Sequence, residues 1–204
     1  MHIKMFSAKI RVEVMKKIIL LVSVNTANYG AERSLIALAR AINQRSSYEA
    51  LVIIPKKGTI IGLLRDYNIE YLVWPFHGNV NHGRGKKIIR GLVKYVFNWF
   101  FALLFKYRMD DLKLRTKLVH SNTITSDFGI QLASMLTVPH IWHIREMAKL
   151  TFNFDFELGT SYILKMMDKT DTVIFNSETT RDYYTELVSK VDSRVIHNGV
   201  PEPT

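Results

Sequence analysis

The sequence predicts an α/β domain: one doubly wound, mainly parallel sheet of about seven strands with helices on both faces. Two observations carry this. Short apolar runs recur along the chain, each ended by polar or glycine-containing residues, and helical periodicity follows most of them. No repeat or low-complexity linker divides the 204 residues, a length that buries one substantial core.

Lys17 to Ile42 is the founding unit. Ile18, Ile19, Leu20, Leu21 and Val22 form a continuous apolar run, which suits a parallel strand covered on both faces. Ser23 to Asn28 are mostly small or polar and end it. Leu35, Leu38, Ala39 and Ile42 then fall at helical spacing, so a helix starts near Tyr29 or Gly30. Its free N–H groups and positive dipole end face the C-terminal edge of the strand, where open α/β sheets bind anions. Gly30 either leaves the backbone open to a ligand or merely lets helix and strand pack closely. Neither G-x-G-x-x-G nor G-x-x-x-x-G-K-[ST] is present.

Further strands are expected at Ala50 to Ile54 and Ile69 to Trp74, with a short helix from Gly58 to Tyr67 between them. Phe76 to Lys87 is a glycine-rich basic loop, and its His77 and His82 have no third ligand at a metal-binding spacing. The helix Ile88 to Arg108 is apolar on every side between Val96 and Phe105, in a run too short to span a bilayer. Lys86, Lys87, Arg90 and Lys94 flank it, together with Lys106 and Arg108, and it carries Trp99, Phe100 and Phe101. Such a helix lies in a lipid interface, or else it is a core helix whose long basic side chains snorkel. Leu118 to His120, His140 to Ile144, Thr172 to Phe175 and Arg194 to Ile196 complete the strands. Helices over Phe128 to Leu136, Leu158 to Met167 and Glu178 to Val188 separate them. Met1 to Val14 reads as an N-terminal extension with Met15 the start, or as an added edge strand over Lys9 to Val14.

A net charge of +10 calls for an anionic partner: nucleic acid, a phosphorylated substrate or anionic lipid. No helix-turn-helix or zinc-finger pattern supports nucleic acid. The chain has no cysteine, which excludes disulfides and thiolate metal sites and fits a reducing compartment. No signal peptide is evident, so a cytoplasmic protein is expected, peripheral at the inner face of the cell membrane if the interface helix holds. G-x-S-x-G and H-E-x-x-H are both missing.

In a doubly wound sheet the ligand lies beyond the carboxyl ends of the strands. Those ends are Ser23 to Gly30, His120 to Thr123, His143 to Glu146, Asn176 with Ser177, and His197 to Gly199. His143, Arg145 and Glu146 bring an imidazole, a cation and a carboxylate to one cleft, unless Arg145 and Glu146 simply pair with each other.

The segments NYGAERSL, VHSN, PHIWHIRE, DTVIFNSETTRDYY and VIHNGV follow in this order. From Met15 to Pro201 the chain resembles the N-terminal domain of family 4 glycosyltransferases of the GT-B fold. The resemblance implies a Rossmann-like acceptor-side domain over residues 15–200, with 201–204 starting an interdomain linker and the C-terminal donor domain absent. That family's first loop usually reads Gly-Gly-Ala-Glu; Tyr29 replaces the first glycine, so Gly30 alone carries over as a contact to the donor diphosphate. By the same likeness His143 faces the reacting sugar and acts in catalysis, and Asn198 leads into the hinge. Ser121, Asn122, Arg145, Glu146, Ser177 and Asn198 line the acceptor cleft.

The implied function is the acceptor-binding half of a retaining, nucleotide-sugar-dependent glycosyltransferase, inactive alone. It would serve bacterial envelope or capsule polysaccharide or glycolipid assembly. No cofactor or metal is implied, and the partners are a nucleotide-sugar, a glycan or lipid-linked acceptor, and a donor domain in cis or trans. The alternative is a non-catalytic membrane-docking subunit.

Overall fold

A computed structural model describes residues 16–27, 29–81, 87–147, 150, 153–185 and 192–199. The expectations for Met1 to Val14, for Lys86 and His82, and for the linker 201–204 lie outside these residues.

The founding unit is β1 (Lys17–Val22), α1 (Gly30–Arg45) and β2 (Tyr48–Ile54). Next come α2 (Ile60–Asp66), β3 (Glu70–Val73), β4 (Val80–Asn81), α3 (Ile88–Arg108), α4 (Asp110–Arg115) and β5 (Thr116–Ser121). The chain continues through α5 (Phe128–Leu136), β6 (His140–Ile144), β7 (Asp155–Phe156), α6 (Thr160–Met167), β8 (Thr172–Phe175), α7 (Glu178–Thr185) and β9 (Ser193–Val195).

Seven strands form one sheet in the order β3-β2-β1-β5-β6-β8-β9, every pair parallel. Strand order reverses between β1 and β5, the switch point at which such sheets open a crevice.

The unbroken apolar run of β1 follows from its place at the centre. Alternate side chains leave a strand on opposite faces: Ile18, Leu20 and Val22 join Phe105, Phe128 and Leu132 on one side, while Leu21 joins Leu35, Ala39, Ile60 and Leu64 on the other. Leu20 and Leu21 are fully buried, each contributing about 1.5–3 kcal/mol of hydrophobic stabilisation. A third cluster, Trp142, Ile144, Val173, Phe175 and Tyr184, fills the β6–β8 side beneath α6 and α7.

Several local expectations are corrected. The loop Phe76 to Lys87 contains β4, which pairs antiparallel with β7 in a separate two-stranded ribbon, Val80 opposite Phe156. The short helix α4 follows α3 directly. The helix expected from Leu158 begins at Thr160, because Gly159 takes a left-handed φ of 85°.

Helix α3 corrects another expectation, since at 21 residues it is long and apolar enough to cross a membrane by length and composition. Here one face of it packs on the domain. Asn98 Nδ2 donates to Asp127 Oδ1 at 3.0 Å and to the His77 carbonyl at 3.1 Å, and Trp74 Nε1 donates to the Phe101 carbonyl at 3.1 Å. Ala102 and Phe105 sit in the core. The core-helix reading therefore holds for this face alone.

Candidate functional site

The carboxyl ends of the central strands and the opening turn of α1 enclose a cleft of about 630 Å³. Val24, Asn25, Tyr29, Gly30, Ala31 and Glu32 supply one wall, and Arg145, Glu146, Asn176 and Asn198 the other; Gly78, Val80, Thr125 and Phe154 close the rim.

Gly30 is exposed, and a Cβ built on it would meet nothing within 4 Å. Close packing is thus not the reason for a glycine here. The N-cap residue Tyr29 is extended and its side chain makes no capping bond, so the opening N–H groups of α1 have no side-chain acceptor from it. An anion at the cleft meets the positive end of the helix dipole.

Arg145 is the organising side chain. Its Nη1 donates to Asn198 Oδ1, and its Nη2 donates to Ser34 Oγ at 2.9 Å and approaches His143 Nδ1 at 3.2 Å. Burial lowers the guanidinium's pKa, against the attraction of Glu146 and Glu32. Arg145 and Glu146 do not pair through their side chains among the described residues: Glu146 Oε2 accepts the backbone N–H groups of Ile124 at 3.4 Å and Arg145 at 3.3 Å. Burial pushes the Glu146 carboxyl up to about 7, so it can hold or release a proton at neutral pH.

His143, which the resemblance implied would face the reacting sugar, is not among the residues that line this cleft. It is buried behind Arg145, its ring 5.7 Å from that of His120. Burial, then Arg145, then His120 lower its pKa to about 3. The imidazole is neutral and Nδ1 accepts the guanidinium, which puts the ring proton on Nε2.

The other expected cleft residues divide. Asn198 reaches the wall, as described. Asn122 is buried beneath it, donating from Nδ2 to the Ala31 carbonyl at 3.0 Å and so tying the end of β5 to the start of α1. Ser121 turns to the opposite side of the sheet: its Oγ lies 2.9 Å from His140 Nε2, and a Cβ on Gly129 would stand 1.9 Å from it. Ser177 caps α7, its Oγ accepting the Thr180 N–H at 3.1 Å. Neither serine is among the residues that line this cleft.

The basic flank of α3 also divides. Arg90 and Lys94 both pair with Oε1 of the fully buried Glu157, Lys94 at 3.1 Å, so their charge is engaged inside the fold rather than free for a lipid surface. Lys87 is exposed, as are Trp99 and Phe100. Phe101 instead packs inward, edge-on to Trp74 with ring centroids 6.2 Å apart.

Glu32 was not foreseen from the sequence, whereas Asn176 is one of the strand-end residues to which the sequence points. Glu32 is completely buried, and neither carboxylate oxygen has a hydrogen-bond partner among the described residues. Asn176 Nδ2 donates to the Arg145 carbonyl at 3.2 Å and leaves Oδ1 without a partner. A carboxylate in the first turn of a helix opening onto a sheet's carboxyl edge was the available signal. Among the described residues no cluster of three or more His, Cys, Asp or Glu could hold a metal ion.

The seven-stranded parallel sheet, with its cleft at the switch point and an open helix N-terminus there, is a Rossmann-like fold of the kind that makes up one half of GT-B glycosyltransferases. The profile of Glycosyltransferase Family 4 matches residues 29–202, and the chain belongs to that family. Among solved structures it is similar to Anabaena HepE in complex with UDP-glucose, with 18% identity and a TM-score of 0.62 over 90% of this chain and 44% of that one. It is also similar to Acinetobacter baumannii MurG, at 15% identity and a TM-score of 0.57, covering 90% of this chain and 46% of the other. Sucrose-phosphate synthase from Thermosynechococcus elongatus aligns at 16% identity and a TM-score of 0.51, covering 91% of each chain. The chain thus spans less than half the length of HepE and MurG. No curated protein sequence matches it.

Proposed function

We propose that the chain is the acceptor-binding half of a retaining, nucleotide-sugar-dependent glycosyltransferase that acts in bacterial envelope or capsule polysaccharide or glycolipid assembly. The observation behind this reading is one cleft in which the bare N-terminus of α1 at Gly30 and the Arg145 guanidinium stand on its two walls. In transfer, the bond from the donor sugar to its diphosphate breaks and a new bond forms to the oxygen of an acceptor hydroxyl, whose proton passes to the departing phosphate as negative charge develops there. Backbone N–H groups at Gly30 and Ala31, with the Arg145 guanidinium, are donors already fixed where that charge develops. His143 and Ser34 hold the guanidinium from behind. Glu146, with its raised pKa, is placed to orient the acceptor hydroxyl. HepE is known in complex with UDP-glucose and with UDP, which makes a uridine nucleotide the first donor to try.

The test is a titration of the chain with UDP and UDP-glucose to about 10 mM, a scale suited to weak binding, following backbone amides by NMR. Shifts concentrated at Gly30, Ala31, Arg145 and Asn198, weakened by Arg145→Ala, are expected. Shifts confined to another surface, or none, would overturn the reading.

A further inference from the structure

Helix α3 is built inside out. Three of its polar side chains, Arg90, Lys94 and Asn98, point to the domain, where they bind Glu157, the Gly78 carbonyl, Asp127 and the His77 carbonyl. Ile89, Val93, Val96, Phe100 and Tyr107 follow one another at helical spacing along the outward face, and all are exposed: Ile89 by 82%, Val96 by 60%, Phe100 by 52%. Leu92 and Trp99 widen the stripe. A surface helix in water shows the reverse pattern, so this face is matched to an apolar medium.

We propose that the outward face of α3 seats in the headgroup and upper acyl region of an anionic lipid bilayer. The occupant follows from chemistry on both margins of the stripe. Lys87 and Arg108 stand exposed at the two ends of the helix, the chain carries a net charge of +10, and Trp99 and Tyr107 combine an apolar body with a polar tip suited to the headgroup level. The helix lies along the surface rather than crossing the bilayer. Crossing would tear Asn98 from Asp127, Arg90 and Lys94 from Glu157, and Phe105 from the core, and would carry those polar groups into hydrocarbon.

Docking also places the cleft. Lys94 Nζ donates to the Gly78 carbonyl at 3.1 Å, and Gly78 and Val80 form part of the cleft rim, so a seated α3 brings that rim to the membrane surface. Resting on the function proposed above, the acceptor is then a saccharide carried on a lipid.

The experiment is co-sedimentation of the full chain with vesicles of phosphatidylglycerol and phosphatidylcholine in equal parts, and of phosphatidylcholine alone, read together with tryptophan fluorescence. Trp74 and Trp142 are buried, so an emission shift to shorter wavelength on vesicle addition reports Trp99. Binding to the mixed vesicles, weakened by salt and about tenfold by Val96→Ser with Phe100→Ser, is expected. Both positions are exposed, and an unchanged melting temperature confirms that the double variant folds. Three results would overturn the proposal: no binding by the wild-type chain, equal binding by the double variant, or a micromolar dimer of the chain that the double variant disperses. Vesicle binding is measured without nucleotide-sugar, so docking and the transfer reading fail separately.

Discussion

Nη2 of Arg145 stands 3.2 Å from Nδ1 of His143, so a buried neutral imidazole braces the cation of the cleft from behind. His143 thus acts on the cleft through Arg145, whose guanidinium it braces.

His143→Ala should therefore act through Arg145. The expected result is an affinity for UDP lowered about fivefold, near 1 kcal/mol, with the helical content kept. His143→Asn, whose side-chain oxygen can accept from the guanidinium, should recover part of it. Equal affinity for wild type and both variants by calorimetry would remove the role.

Acid should destabilise the domain before its carboxylates titrate in bulk. Burial lowers His120 to about 4 and His140 and His143 to about 3, so between pH 6.5 and 4 the unfolded chain takes up protons that these rings refuse. Glu146, raised to about 7, works the other way: its folded form holds a proton the unfolded chain lacks, which favours folding as pH falls toward 4.5. His77, also lowered by burial, adds to the loss and Asp127, raised by burial, opposes it; four rings against two carboxyls leave a net loss as pH falls through this window, of order 2–3 kcal/mol per pH unit at its steepest. Urea titrations at pH 7 and pH 5 check the sign; a midpoint that stays or rises at pH 5 contradicts it.

Glu32→Gln should raise stability. A buried carboxylate with two unpartnered oxygens is costly, and the amide relieves about 1–3 kcal/mol of that cost. Thermal unfolding measures it. A melting temperature that drops would mean the carboxylate has a structural partner.

The chain by itself should bind UDP-glucose with a dissociation constant no tighter than about 1 mM, or ~4 kcal/mol. Helix N–H groups at an exposed site contribute roughly 0.3–1 kcal/mol toward an anion, and Arg145 is the cation that borders this cleft among the described residues. Micromolar binding by calorimetry would show that this domain carries a fuller donor site.

The sequence by itself determined the sheet and where its ends lie. The unbroken run Ile18 to Val22 suits a strand covered on both faces, and polar residues stop the strands where the cleft opens. Which polar side chains enter the cleft was decided by tertiary structure. Ser121 and Asn122 are neighbours in sequence, yet Ser121 goes to His140 on the α5 side and Asn122 to Ala31 on the α1 side, because successive residues of an extended chain leave it on opposite faces. Likewise His143, Arg145 and Glu146 were legible as a group, but their depth depends on Ser34 and Asn198, which lie 111 and 53 residues from Arg145. Helix α3 makes the same point at the surface. Apolar residues on every side left its facing undetermined by periodicity, and the choice fell to Glu157, Gly78 and Asp127, distant groups that draw Arg90, Lys94 and Asn98 inward and so turn its apolar stripe out.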